Sequence, residues 1–131
     1  MYFGKVLSSI FPGEWSERIS TLPNYTLLGM GGESTAAVFL LNGTLQQKDG
    51  IAQWTERGEF KDPMNGTVRS VLCVVQFDTI KRLYRTVYML FFSGECLQTP
   101  IGADYSSDAW EAPAPGSLRA GNVQRLLGVQ P

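Results

Sequence analysis

Residues 49–60, DGIAQWTERGEF, are the stretch on which the interpretation of the whole chain depends. Asp49-Gly50 is a turn dipeptide, so a new element begins directly after a reversal of the chain. In a strand, the odd positions share one face: Ile51, Gln53, Thr55 and Arg57. The even positions share the other face: Ala52, Trp54 and Glu56. Neither face is uniformly apolar, so an ordinary core does not explain this strand.

Four further strand patterns surround this stretch. Residues 24–30 and 34–42 precede it, and residues 67–77 and 82–92 follow it. Turn dipeptides separate the patterns: Gly31-Gly32, Asn42-Gly43 and Asn65-Gly66. Short strands at such spacing are typical of an antiparallel meander. The sequence therefore predicts a mainly β fold, with an antiparallel sheet of five or six strands and one or two short helices.

The patterns at 67–77 and 82–92 are apolar at both odd and even positions. A strand that is buried on both sides needs a cover on each face, from a helix, another sheet or a second subunit. The chain offers one short candidate helix near each end. A second copy of the chain is therefore an expected source of the missing cover, and we predict a dimer.

The chain is predicted to be a single domain over residues 1–131. Residues 1–23 form an N-terminal segment, with a candidate helix at 3–10 and an ambiguous region at 14–22, and residues 24–93 form the sheet. Residues 94–131 are rich in Pro and Gly and are predicted to be a loop and an extended arm. Within the arm, residues 122–127 favour a helical turn, capped by Asn122 and ended by Gly128.

Composition argues against several classes of function. The net charge of −1 provides no global field that would attract nucleic acid or a membrane. The chain has no His, which removes the usual general base and the commonest metal ligand. Cys73 and Cys96 are too few for a metal-site pattern. We predict no catalytic residue, no metal, no cofactor and no enzyme activity. No signal peptide or membrane-spanning segment is expected either.

A local basic cluster provides a candidate RNA contact. Its members lie on or beside the predicted hairpin of residues 67–92: Arg69, Lys81, Arg82 and Arg85. Tyr84 and Tyr88 alternate with these cations, and cationic contacts beside an aromatic stacking partner suit RNA. The alternative is an ordinary solvated end of a hairpin with tyrosines in the core.

A series of short motifs, in order, gives a resemblance to a known family. The motifs are GMGG at 29–32, AVFLLNG at 37–43, DGIAQW at 49–54, KRLY at 81–84, Gln98-Thr99, Gly102 and Ala109-Trp110. Over residues 25–110 the chain resembles the coat proteins of single-stranded RNA bacteriophages. The family continues with another long strand and two helices that interlock the dimer, whereas the residues after Trp110 here are rich in Pro and Gly.

The resemblance implies a shell-forming dimer with a continuous sheet, one face of which is turned to the genome. Such a protein is located in the virion and assembles in the host cytoplasm. Gln53 and Thr55 would join the four cations as RNA-binding residues. The expected subunit-interface residues are aromatic: Trp54 as anchor, with Tyr84, Tyr88 and Trp110. The loop at 98–107 would lie at the symmetry axes.

The alternative function is that of a small calycin-like β-barrel. Gly13-Glu14-Trp15 is similar to the Gly-x-Trp signature of lipocalins, and Arg125 would stack on that tryptophan. Such a barrel binds an apolar ligand in its interior. The tail distinguishes the two hypotheses. It should dock on a second chain in a coat protein, and it should close its own sheet beside the first strand in a barrel.

Overall fold

The computed structural model describes residues 14–32, 35–104 and 109–128. These residues form seven strands: β1 (Tyr25–Gly31), β2 (Ala36–Leu41), β3 (Gln46–Lys48), β4 (Ile51–Met64), β5 (Val68–Asp78), β6 (Leu83–Phe92) and β7 (Pro100–Asp104). They also form two α-helices, α1 (Trp15–Ile19) and α2 (Leu118–Leu127), and a 3-10 turn, Glu95–Leu97. The prediction of a mainly β, antiparallel fold is confirmed.

The strands form one antiparallel sheet in the order β1-β2-β4-β5-β6-β7. The short strand β3 pairs with the first part of β4, with Gln46 opposite Gln53, and β2 pairs with a later part of β4, with Leu40 opposite Glu56. The sheet is not closed, and its two edges are β1 and β7. The sheet therefore does not enclose the interior that a ligand-binding barrel requires.

The structure has more strands than the five or six predicted, because β3 and β7 carry weak sequence signals. β3 is a polar tripeptide, QQK, without alternation. β7 contains Pro and Gly, which usually interrupt strands, but an edge strand tolerates Pro because one side of its backbone has no partner. β4 is also longer than predicted, since it continues through Pro63 to Met64.

The region predicted to be a loop and an extended arm, residues 94–131, contains both β7 and α2.

Helix α2 begins before the predicted helical turn. Ser117 rather than Asn122 is its N-cap, and the Ser117 hydroxyl accepts a hydrogen bond from the amide of Ala120. Asn122 is a buried residue inside the helix. The predicted end is confirmed, because Gly128 adopts the left-handed conformation that closes helices, with φ of 70°.

Helix α2 covers the central strands on one face of the sheet. The buried cluster beneath it consists of Ala52, Trp54, Cys73, Val75, Phe77 and Val123. Burial of each large apolar side chain contributes about 1.5–3 kcal/mol, so this cluster is a principal source of stability. We call this side of the sheet the helix face.

Helix α1 lies on the opposite face, within the region where the sequence was ambiguous. Its Trp15 and Ile19 are buried against Ala37 and Phe39 of β2. This short helix and the 3-10 turn cover only the part of the face near the second half of β4. The candidate helix at residues 3–10 lies outside the described residues.

Candidate functional site

Buried ion pairs account for three charged residues of β4, Glu56 on one face and Arg57 and Glu59 on the other. On the helix face, Glu56 is only 3% exposed and its carboxylate accepts hydrogen bonds from Arg119 of α2, at 2.6 Å, and from the indole N–H of Trp54, at 2.8 Å. A buried carboxylate is costly unless charged and polar donors surround it. Glu56 therefore fixes α2 to the sheet at one position.

On the opposite face, Arg57 and Glu59 form a fully buried ion pair, with Nη1 and Oε2 2.8 Å apart. The guanidinium lies 4.6 Å from the ring centre of Tyr25 and 4.1 Å from that of Phe39. It also donates to the carbonyl of Ile19 in α1. The Glu59 carboxylate accepts the amide hydrogen of Cys96 in the 3-10 turn. The pair thus connects α1, the sheet and the turn.

The other part of this face has no cover among the described residues, and we call it the open half. Strand register places its residues in three rows: Gln53-Gln76-Arg85, Thr55-Val74-Tyr88 and Leu72-Leu90. Gln53 is exposed, and the other seven side chains are half-buried. The open half therefore presents apolar surface beside a row of polar groups.

The first of these rows is continuously hydrogen-bonded across three strands. The Gln76 amide donates to the Gln53 side chain at 2.8 Å, and the Arg85 Nε donates to Gln76 at 3.0 Å. The Arg85 guanidinium lies 4.4 Å from the ring centre of Trp110. We call Gln53, Gln76, Arg85 and Trp110 the polar row. It combines amide groups, a cation and an aromatic ring, the groups with which proteins bind single-stranded RNA.

The structure brings some of the predicted RNA-binding residues together and separates one. Gln53, Thr55 and Arg85 all lie in the open half. Lys81 and Arg82 are exposed in the turn between β5 and β6, at the end of the same hairpin. Asp78 orders this turn by accepting the amide hydrogens of Ile80 and Lys81.

Arg69 is the predicted RNA-binding residue that lies apart from the others. It is close to the opposite end of β5 and donates to the carbonyl of Lys61. At 3.3 Å per residue, the separation along β5 between Arg69 and Gln76 of the polar row is about 23 Å. Arg69 therefore does not share a binding surface with the polar row.

The four predicted interface aromatics occupy different environments. Trp54 is fully buried in the chain's own core, so its side chain has no surface left for the predicted subunit contact. Tyr84 lies on the helix face, below Arg119, and its hydroxyl donates to Glu111. Tyr88 lies in the open half and Trp110 in the polar row. Only these last two aromatics are on the open part of the sheet.

Gln76 and the stacking of Trp110 on Arg85 were not predicted from the sequence. Gln76 is the one polar residue in the apolar run 71–77, which was the available signal. No local pattern could have predicted the contact of Trp110 with Arg85, because residues 93–108 separate Trp110 from β6 in the sequence.

The outer edge of the sheet is a second exposed feature. All five residues of β7 are exposed, including Ile101 at 47%. A strand at the edge of a sheet presents backbone donors and acceptors that can pair with another strand. The edge strand β7 lies next to the open half, because β7 pairs with β6 and β6 carries part of the open half.

The open half presents amide, guanidinium and hydroxyl groups, which offer hydrogen bonds, positive charge and a surface for stacking. In the part of the chain that the structure describes, no group of three or more His, Cys, Asp or Glu side chains is arranged to hold a metal ion. The described helices are all too short or too polar to cross a membrane.

Comparison of the chain with protein-family models and with curated protein sequences finds no match.

Proposed function

We propose that this chain is a self-assembling coat protein of the single-stranded RNA bacteriophage type. It forms the shell of a virion, assembles in the host cytoplasm and contacts RNA through the open half, without catalysis. The observation that carries the proposal is the exposure of β6. Nine of its ten residues are only half-buried although most of them are apolar, and all five residues of its outer neighbour β7 are exposed.

A second copy of the chain is the partner that this exposure favours. Pairing between the β7 strands of two copies would continue the sheet through backbone hydrogen bonds, as strand addition does in other proteins. A symmetric pair of this kind uses the same surface on both subunits. The contact would also cover part of the apolar surface next to β6.

The position of α2 distinguishes this proposed dimer from one held by interlocked helices. Helix α2 packs on its own chain, with Leu118 against Gly31 and Arg125 bonded to the carbonyl of Leu28 in β1. Each copy thus completes its own helix face. The subunit contact in this proposal is therefore made by the edge of the sheet rather than by exchanged helices.

RNA is the partner that the polar row favours. The whole chain has a net charge of −1, so attraction to phosphates has to be local. Arg85 provides a cation beside an aromatic ring, and Lys81 and Arg82 extend the positive charge along the same hairpin. Gln53, Gln76 and Thr55 add hydrogen-bonding groups that can contact bases or sugars. An apolar ligand inside a barrel is not favoured, because the sheet is open at β1 and β7.

The test compares two arginines of one hairpin. Wild type, Arg85→Ala and Arg69→Ala are produced in a recombinant host, and assemblies are isolated by ultracentrifugation. We expect Arg85→Ala to lower the ratio of absorbance at 260 nm to that at 280 nm, since it removes the cation of the polar row. Arg69→Ala should retain the wild-type ratio. Equal ratios in all three proteins, or an equal decrease in both variants, would contradict RNA contact at the open half.

A further inference from the structure

The hydrogen bonds of the polar row run in one direction, and Arg85 sets that direction. A guanidinium has N–H donors and no acceptor, so Nε of Arg85, at 3.0 Å, bonds to the carbonyl oxygen of the Gln76 amide. The NH2 group of Gln76 therefore faces Gln53, and Gln53 accepts this bond with its own carbonyl oxygen, at 2.8 Å. Turning either amide over would place two donors against each other.

The groups that this direction leaves for a partner are mainly donors. Gln53, the exposed member of the row, keeps both hydrogens of its NH2 group, and Gln76 keeps one. Arg85 keeps its two Nη groups, which form no hydrogen bond or ion pair with the described residues. The row therefore suits a partner that offers acceptors rather than donors.

Two contacts hold the Arg85 guanidinium in place. Its Nε is bonded to Gln76, and its centre lies 4.4 Å from the ring centre of Trp110. A side chain that is already held loses less conformational freedom when it binds a partner. The two Nη groups form a planar fork, and such a fork matches two neighbouring acceptors. Arg85 is thus preorganised for a group with a pair of adjacent acceptors.

Guanine is the RNA base that carries this pair, as N7 and O6 on one edge. Adenine has the N7 acceptor beside an amino donor, cytosine presents an amino donor, and uracil presents O4 alone. An amino group that meets the guanidinium forms no hydrogen bond with it, because both are donors. Single-stranded RNA exposes these edges, since its bases can turn away from their neighbours.

We propose that the polar row selects guanine in single-stranded RNA: the Nη groups of Arg85 donate to N7 and O6 of the base, and the NH2 group of Gln53 donates to a further acceptor of the strand. This base selectivity rests on the proposed RNA contact of the open half and sharpens it. Contacts between Lys81 and phosphates would add affinity that does not depend on the base.

Fluorescence anisotropy with short labelled RNAs measures the selectivity. The full-length protein is first freed of nucleic acid at high salt and is then titrated at one lower salt concentration, since phosphate contacts depend on salt. The RNAs are uridine heptamers with guanine, adenine, cytosine or 7-deazaguanine at the centre. Wild type should bind the guanine heptamer about tenfold more tightly than the adenine and cytosine heptamers. The 7-deazaguanine heptamer, which lacks the N7 acceptor, should lose most of this preference.

Arg85→Lys separates the charge of the side chain from its shape. Lysine keeps the positive charge but lacks the planar fork, so this variant should bind the four heptamers with similar affinities. Arg69→Lys is the matched control and should keep the wild-type preference, because Arg69 lies apart from the polar row. If Arg85→Lys does not fold, the comparison of guanine with 7-deazaguanine in wild type decides alone.

The outcomes distinguish base selectivity from RNA contact. Equal affinity of wild type for the guanine, adenine and 7-deazaguanine heptamers, or an unchanged preference in Arg85→Lys, would overturn guanine selection and leave the RNA contact standing. Absence of binding to every heptamer would contradict the RNA contact itself, and guanine selection with it.

Discussion

The two faces of the sheet differ in how they are completed. The helix face is closed within the chain by α2, whose Val123 is buried against Trp54 and Phe77. The opposite face is closed near Arg57 by α1 and the 3-10 turn, and it is open around the polar row. The polar residues of β4 therefore differ in their roles, which depend on the face and on the position along the strand. Glu56 secures a helix, Glu59 contacts the loop, and Gln53 is exposed at the surface.

This comparison predicts the largest effect at Trp54. Trp54→Ala should destabilise the chain by about 3–5 kcal/mol, because a fully buried aromatic side chain leaves a cavity. Thr55→Ala, the neighbouring residue in the open half, should cost less than about 1 kcal/mol. Urea unfolding of both variants gives the two values. An assembly defect in Trp54→Ala with unchanged stability would instead support the subunit contact that the sequence suggested.

The next largest effect concerns the attachment of α2. Glu56→Ala should cost about 3 kcal/mol, because it leaves Arg119 and the indole N–H of Trp54 without their acceptor. Gln53→Ala, on the same strand but the opposite face, is the control and should change the free energy of unfolding by less than about 0.5 kcal/mol. Similar losses in the two variants would show that the two faces are not as different as the structure indicates.

A smaller effect is expected from the contact between α2 and β1. In Gly29→Ala, the new Cβ would lie 2.6 Å from Nη1 of Arg125 and 2.8 Å from Oδ1 of Asn122. The side chains of α2 have to move to remove this clash, and we expect the free energy of unfolding to fall by about 1–3 kcal/mol. Gly102→Ala is the matched control, since a Cβ there meets no atom within 4 Å. Thermal unfolding measures both variants, and a neutral Gly29→Ala would mean that α2 does not approach β1 so closely.

The smallest effect on stability, and a large effect on assembly, is expected at the edge of the sheet. Ile101→Lys places a charge on the exposed edge strand β7. A lysine on an edge strand hinders pairing with the edge strand of another molecule. The free energy of unfolding of the single chain should change by less than about 0.5 kcal/mol. Sedimentation velocity should show smaller species than in wild type. Unchanged particles would place the subunit contact elsewhere.

The sequence predicted those parts of the fold that local pattern determines. The bounds of β5 and β6 were predicted to within one residue. Both strands are continuous runs rich in β-branched and aromatic residues, and turn residues mark their ends. The period of two also placed Glu56 and Glu59 on opposite faces, as the structure has them. β7 was missed because its stability comes from pairing with β6, which no local propensity encodes.

The candidate site was only partly predictable for the same reason. Arg85 was predicted from residue type, and Gln53 and Thr55 from the resemblance to coat proteins. Strand register then places all three on one face of the sheet. The partners of the buried pair could not be identified, since the Ile19 carbonyl and the Cys96 amide are distant from Arg57 and Glu59 in sequence. Trp54 was expected at a subunit interface from the resemblance to coat proteins, which offered a reason for the mixed polarity of its strand. Glu56 and Arg57 are instead neutralised inside the chain, which leaves Trp54 in the core.

The most direct test of the central claim is the molar mass of the recombinant wild-type protein in solution. Size-exclusion chromatography with light scattering gives this mass, and absorbance at 260 and 280 nm gives the nucleic-acid content of the same peak. We predict particles in the megadalton range that carry nucleic acid, because the open half and β7 lack a cover within the described chain. A monomer of 14.5 kDa without nucleic acid would contradict the account.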